Sequence, residues 1–411
     1  MRQQFSDPSV VDPAKRTSVV GRLAGVDGGR SILFWAHPDS VAVTGTEAWQ
    51  HAPFAGEIEN GRLYGWGVSD DLAGVAIMTC ALEAVLAASL KPKGQVILAS
   101  IPSKGRAKGI LAVLDRGYVA DASIYLHPAE TELGLKDIKS FASGQLRFRI
   151  TVPGRPPDTT EPTHTVFYHL AVDPIYKAWV IYEALRTLGE KRGGEVYHPI
   201  LAKAIGCSTN LHIACIRGGN EHELHLMSPE CVLAGTVTFP PGEEMADVQS
   251  QITQAVQTAA DSDDWLKEHR PQLKWLDGTN GIEVSVQHPI HQTACRAIAA
   301  VTGLEPNVNP LHTASDIRNP ILHKGIPTVG FGPLSGDSTQ LGRHDEWVDV
   351  EDYIKAVKVV ASIILDWCGV QGCNLESRWT QDIRMLPRQQ RALGKSVSEQ
   401  REGRLGGGWQ R

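Results

Sequence analysis

Ile32-Leu33-Phe34-Trp35-Ala36-His37-Pro38-Asp39 is the stretch that decides the fold. Its unbroken apolar run reads as a strand buried on both faces, as in parallel sheets covered by helices. The strand runs out into a His-x-Asp pair. Farther on, Gly61-Arg62-Leu63-Tyr64-Gly65-Trp66-Gly67-Val68-Ser69-Asp70-Asp71 carries an acidic group into a Gly-rich turn. Asp71–Leu90 then repeats apolar residues at helical spacing, and Val96–Ile101 is a second buried strand. Gly109–Arg116 predicts a short helix and Ala122–Leu126 a third strand, which ends on His127. This βαβαβ order predicts a mostly parallel central sheet flanked by helices.

From Gly144 the pattern changes. Gln145–Val152, Asn210–Ile216 and Cys231–Phe239 alternate like half-exposed strands, and Asp173–Leu188 and Glu243–Ala260 read as helices. This order predicts a small α+β unit with antiparallel pairing. The α/β pattern resumes with His288–Gly303, strand Thr328–Phe331 and helix Val350–Trp367. The expected organisation is a catalytic domain in two parts, residues 1–145 and 281–370. An inserted lid covers 146–280, and a C-terminal tail covers 371–411. The tail is rich in Arg, Gln and Gly and reads as an arm on a neighbour or a loose end.

Bulk composition narrows the function classes. The 411 residues are 42% hydrophobic and 21% charged, which is globular rather than disordered. A net charge of −6 gives no electrostatic support to a nucleic-acid or anionic-membrane partner. No apolar run reaches the length of a membrane span, and the N-terminal residues lack the apolar stretch of a signal peptide. The seven scattered cysteines include no CxxC pair, which fits reduced thiols in a cytoplasm.

A metal hydrolase needs neutral imidazoles and carboxylates that converge while leaving room for water. His37 and His127 stand at strand ends, and Asp70 stands in a Gly-flanked turn. Together they form a candidate 2-His-1-carboxylate set, placed where open α/β sheets bind ligands. Asp39, two residues beyond His37, is expected to accept that imidazole's other N–H.

The chain resembles the dinuclear zinc amidohydrolases and exopeptidases related to carboxypeptidase G, aminoacylase and succinyl-diaminopimelate desuccinylase. The resemblance rests on Trp49-Gln50-His51-Ala52-Pro53-Phe54, Gly61–Asp71 and Thr313-Ala314-Ser315-Asp316-Ile317-Arg318. It also rests on Gly325-Ile326-Pro327-Thr328 and His344-Asp345-Glu346-Trp347-Val348, with Gly218-Gly219 and Pro240-Pro241-Gly242-Glu243 in the lid. It implies a zinc-exopeptidase-like fold with a lid that pairs two chains. It also implies that His37 is a first-site ligand, Asp70 the bridging carboxylate and His127 a first-site ligand. His344 becomes the second-site histidine. Arg318, Asp316 and the lid's Asn210 become substrate contacts.

The departures from that pattern matter as much. The family's adjacent Glu pair, a general base and a second-site ligand, aligns with Ser103 and Lys104. Its lid histidine aligns with Asp158, and the lysine after the aspartate pair with Leu72. The expectation is therefore a single, loosely held divalent ion (Zn, Mn, Co or Fe) at His37, Asp70 and His127. The Lys104 ammonium would stand in for the second ion, and His344, freed from metal, would move protons. The expected activity is hydrolysis of a C–N bond in a small carboxylate-bearing molecule, other than an ordinary peptide bond. One alternative is hydrolytic deamination of an aromatic amine, as in the related 5-nitroanthranilate aminohydrolase. The other is a catalytically silent small-molecule binding protein. The expected setting is a cytoplasmic homodimer or larger homo-oligomer.

Overall fold

The computed structural model describes residues 17–26, 28–40, 43, 45–103, 108–128, 133–311, 315–336 and 344–371. In chain order, β1 (Val19–Leu23) and β2 (Ile32–Ala36) lead to α1 (Ala73–Ala87), β3 (Val96–Ser100), α2 (Lys108–Asp115) and β4 (Ala122–Leu126). Next come β5 (Gly144–Pro153), α3 (Pro174–Glu195), α4 (Pro199–Ile205), β6 (Asn210–Gly218), β7 (Glu230–Phe239), α5 (Met245–Asp261), α6 (Asp264–Glu268) and β8 (Gln272–Thr279). The last elements are α7 (Pro289–Thr302), α8 (Arg318–Lys324), β9 (Thr328–Phe331) and α9 (Val350–Cys368).

The central sheet has the order β1-β3-β2-β4-β9. Strands β3, β2, β4 and β9 are parallel, and β1 joins the edge antiparallel to β3. Both faces are covered. Ile32, Phe34, Ile124 and Leu126 pack with residues of α1, α7 and α9. Leu33, Trp35, Ile97 and Tyr125 pack with α2 and with Ile317 and Ile326, which flank α8. This two-sided burial explains why the strands read as unbroken apolar runs. A second sheet, β6-β7-β5-β8, is wholly antiparallel. One face of it packs on α3 and α5 through Phe148, Leu233, Ile181 and Ile252.

Several expectations shift. The helix expected from Asp71 begins at Ala73, because Val68–Leu72 forms an irregular turn that buries Ser69, Asp70 and Asp71. The periodicity counted Leu72 as core, but this residue is 41% exposed. Strand β1 was absent from the reading because its exposed–intermediate pattern lacks an apolar run. Strand β8 was hidden for the same reason.

One glycine fixes how α1 meets the sheet. A Cβ on Gly74 would overlap the carbonyl oxygen of Leu126 and crowd Ala36 and Asp71. The helix therefore crosses the ends of β2 and β4 at backbone distance, and that approach carries the preceding turn to His37 and His127. Gly74→Ala is expected to cost about 1–3 kcal/mol in urea unfolding, because the obstacle is backbone and cannot rotate away. An unchanged unfolding midpoint would contradict this packing.

Candidate metal centre

The register of β2 and β4 places Trp35 opposite Tyr125, and those rings stack with centroids 4.0 Å apart. Two residues on, with the same side-chain parity, His37 and His127 stand side by side with ring centroids 5.8 Å apart. Both are buried. Asp70 enters from the turn before α1. Its Oδ1 lies 3.0 Å from His37 Nε2 and 3.1 Å from His127 Nε2. Each of the three offers a ligand atom, and all three atoms lie within 4.8 Å of one another.

The donor chemistry fits a divalent cation. His37 Nδ1 lies 3.0 Å from the carbonyl oxygen of Asp39, and His127 Nδ1 lies 2.9 Å from that of Pro128. Carbonyl oxygens only accept, so the Asp39 carbonyl holds the His37 ring proton on Nδ1 and leaves its Nε2 lone pair facing Asp70, while His127 Nδ1 lies between an acceptor, the Pro128 carbonyl, and a donor, Lys139 Nζ. Two imidazole Nε2 atoms and a carboxylate oxygen converging on one point are a donor set that suits a divalent cation.

Other charged groups surround the trio. Glu346 is fully buried, and its carboxylate accepts from the backbone N–H groups of Gly67 at 2.9 Å, Ser69 at 2.8 Å and Asp70 at 3.0 Å. It pins the turn that presents Asp70. Asp71 lies beneath, fully buried, with Oδ2 accepting from the His37 backbone N–H at 3.3 Å. Burial pushes its carboxyl up to about 7, against the pull of His127 and His37, with Asp70 adding to the rise. Lys139, also fully buried, places Nζ 2.9 Å from His127 Nδ1 and donates a close hydrogen bond to the Pro128 carbonyl.

The remaining sequence-predicted residues are placed as follows. The Asp39 carboxylate is not the hydrogen-bond partner expected for His37. Its backbone carbonyl takes that role, while Oδ1 stays 3.5 Å away and accepts from the Ser103 N–H at 2.8 Å. Ser103 Oγ donates to Asp316 Oδ2 at 2.6 Å. Burial pushes the Asp316 carboxyl up, opposed by Ser103, His37, Arg318 and His127. Arg318 opens α8, is buried, and donates from Nε to the Ser315 carbonyl at 3.0 Å. Burial lowers it to about 10, against Asp316.

His344 is exposed and its ring lies near Gly45, so the structure does not bring it to the trio. Asn210 is exposed at the start of β6 and lines a small cavity with Leu201, Thr238 and Leu311. Lys104 lies outside the described residues, as do Thr313 and Ala314 of the closing motif.

Glu346, Asp71 and Lys139 were not singled out from sequence. Glu346 follows a histidine that drew the attention. Lys139 stood in the open as a single charge between the buried residues Ile138 and Phe141.

His51 ties the Trp49–Phe54 motif to the closing one. Its Nε2 meets Glu59 at 3.0 Å, its Nδ1 meets Asp345 at 3.1 Å, and its ring stacks on Tyr64. Asp345 also accepts from the N–H groups of Gln50 and His51.

Comparison with known proteins gives this site its class. The family model described as peptidase family M20/M25/M40 matches residues 33–366. A curated relative, N-formyl-4-amino-5-aminomethyl-2-methylpyrimidine deformylase of Bacillus subtilis (strain 168), is 27% identical over 381 residues, covering 85% of this chain and 83% of that protein. Succinyl-diaminopimelate desuccinylase of Rhodopseudomonas palustris (strain BisB5) is 24% identical over 360 residues, covering 85% of each. Among solved structures, aminopeptidase PepT from Bacillus cereus superposes with a TM-score of 0.63 at 19% identity, covering 84% of this chain and 83% of that one. The metallo-carboxypeptidase Sso-CP2 from Sulfolobus solfataricus gives 0.62 at 17%, covering 84% and 87%.

The fold and the buried trio therefore define a metal-dependent hydrolase of C–N bonds. The chain belongs to peptidase family M20/M25/M40.

Three outcomes test this geometry. Glu346→Ala strands three buried N–H groups and is expected to cost about 3 kcal/mol or more in chemical unfolding. A loss near zero would mean that water replaces the carboxylate. Lys139→Met is expected to weaken metal retention about 10- to 100-fold in competition with a chelator, through loss of support behind His127. Unchanged retention would make Lys139 a packing residue only. His51 has its pKa raised, first by Glu59 and then by Asp345. Its stabilisation is therefore full below the unfolded-state value and lost as pH rises through the higher folded value. The melting-temperature gap between wild type and His51→Ala is expected to be wider near pH 6 than near pH 9. Equal gaps would contradict the pairing.

Proposed function

We propose that this protein is a single-ion hydrolase that cleaves the C–N bond of a small carboxylate-bearing, N-acylated molecule rather than an ordinary peptide. The observation that carries the reading is the convergence of His37 Nε2, His127 Nε2 and Asp70 Oδ1. Among the described residues this is the group able to hold an ion, so the reading takes one ion per chain. The names of the deformylase and desuccinylase relatives support removal of a small acyl group.

Zn, Mn, Co or Fe, held there, would act as a Lewis acid on a carbonyl oxygen and lower the pKa of water. The chain's own residues do the rest. The Asp39 carbonyl holds the His37 imidazole in the ligating tautomer, Pro128 and Lys139 orient that of His127, Glu346 fixes Asp70, and Arg318 offers a buried positive charge for a substrate carboxylate. In this reading Lys104 supplies further positive charge.

A second reading, hydrolytic deamination of an aromatic amine, is favoured by one observation. The residue after Pro102 is a serine committed to Asp316, and attack on an activated ring asks less of proton transfer to the leaving group. The cytoplasmic setting fits the free thiols of the described residues, and no helix among them is long and apolar enough to cross a membrane. A homodimer or larger assembly fits the exposed Ile175, Tyr176 and Trp179 on α3.

Metal-stripped protein reloaded with Zn, Mn or Co should be assayed on an N-formylated aminopyrimidine, an N-succinyl amino acid, a dipeptide and 5-nitroanthranilate. We expect turnover of an acylated substrate that requires metal and falls at least about 10³-fold in His37→Ala. Ammonia release from 5-nitroanthranilate alone would select the second reading. Binding without turnover under every metal would contradict both and leave a binding protein.

A further inference from the structure

We propose that the open face of the antiparallel sheet is an electrostatic guide that draws small carboxylate-bearing molecules toward the metal centre, with Arg149, Lys274 and Arg217 as its cations. The proposal rests on the hydrolase reading above, which supplies the anionic substrate. Strand register carries it. Leu146, Phe148 and Ile150 of β5 pack into the core with α3 and α5, so Arg147, Arg149 and their cross-strand neighbours occupy the opposite face. Every residue of that face is at least partly exposed, so no element seals it.

The face is built in rows about 7 Å apart. The first row, Asn210, Thr238, Gln145 and Thr279, is neutral. The second holds His212, Thr236, Arg147 and Asp277, and its arginine is paired with its aspartate. The third, Cys215, Ala234, Arg149 and Lys274, carries two cations and no acid. The fourth adds Arg217, in line with Val232, Thr151 and Gln272. Among the described residues, none of Arg149, Lys274 and Arg217 has an ion pair. Three uncompensated positive charges therefore share one face of a chain whose net charge is −6.

The third row runs against sheet stability. Arg149 and Lys274 stand directly opposite each other on neighbouring strands, and like charges so placed are destabilising. Ala234, across from Arg149 on the other side, is too small to shield them. An anion arriving at this face relieves the repulsion.

The neutral first row borders the α/β unit. Asn210 and Thr238 line a cavity together with Leu311 and Ser143. Ser143 is four residues from Lys139, a span of at most about 14 Å, and Lys139 Nζ lies 2.9 Å from His127 Nδ1. The charged rows thus begin one step beyond a cavity close to the metal centre. The Debye length is about 30 Å at 0.01 M salt, so these cations raise the local concentration of an anion at the cleft without touching the metal ligands.

The test uses the full-length, cobalt-loaded protein and stopped-flow absorbance of the cobalt–thiolate band. The probes are 3-mercaptopropionate, an anion, and 2-mercaptoethanol, a neutral thiol of similar size. In about 10 mM salt, the double variant Arg149→Glu, Lys274→Glu should bind 3-mercaptopropionate about 10-fold more slowly than wild type, and 2-mercaptoethanol at the wild-type rate. The difference should close in about 0.5 M salt. Arg149→Glu alone sets opposite charges across the strands, so its melting temperature should hold or rise while association of the anion slows. That combination separates guidance from damage to the fold. Equal rates for 3-mercaptopropionate at low salt would overturn the guide and leave the hydrolase reading standing. Equal slowing of both thiols, or a difference that survives high salt, would do the same. Wild type whose cobalt takes up neither thiol would overturn both.

Discussion

Two imidazole Nε2 atoms and a carboxylate oxygen converge on one buried point, and the rest of the architecture holds them there. His37 and His127 approach within 3.0 and 3.1 Å of Asp70 Oδ1 in a region closed to solvent. Such an arrangement offers a divalent cation three ligand atoms at once. The parallel register of β2 and β4 sets the two rings side by side. Gly74 lets α1 cross the strand ends closely enough for the turn before it to deliver the carboxylate.

Holding that turn is a task for a distant part of the chain. Glu346 comes from the segment before Trp347–Asp349, a short strand that pairs antiparallel with Arg62–Tyr64. Three backbone N–H groups converge on its carboxylate, so the last part of the α/β unit locks the first. The antiparallel α+β unit lies between these segments in sequence. The site is thus completed only once the chain has returned to its first sheet, which couples folding of the two α/β segments to metal binding.

The parts of this protein that were legible in the sequence are those with a strong period or a strong chemical signature. Ile32–Ala36 and Ala122–Leu126 are fully apolar because both faces are buried, so the sheet and the two histidines at its strand ends could be read directly. Asp70 was marked by the glycines around it. Half-exposed β1 and β8 gave no comparable signal. Glu346 and Lys139 were illegible as site residues for a different reason. Their importance comes from which backbone groups surround them, and charge alone does not reveal that. The reading of Asp39 as the partner of His37 missed a nearer group: His37 Nδ1 lies 3.0 Å from the Asp39 carbonyl oxygen and 3.5 Å from its carboxylate. The sequence-level departure at Ser103 pointed to a missing carboxylate, and the structure shows that this serine donates to Asp316 from a distant part of the chain.

A site with two imidazoles and one carboxylate makes a specific demand on how the metal is bound. The decisive measurement is anomalous diffraction from crystals of the protein loaded with Mn or Zn. The account predicts one peak, bounded by His37 Nε2, His127 Nε2 and Asp70 Oδ1. Two peaks of equal occupancy astride Asp70, or a peak that avoids both histidines, would contradict it.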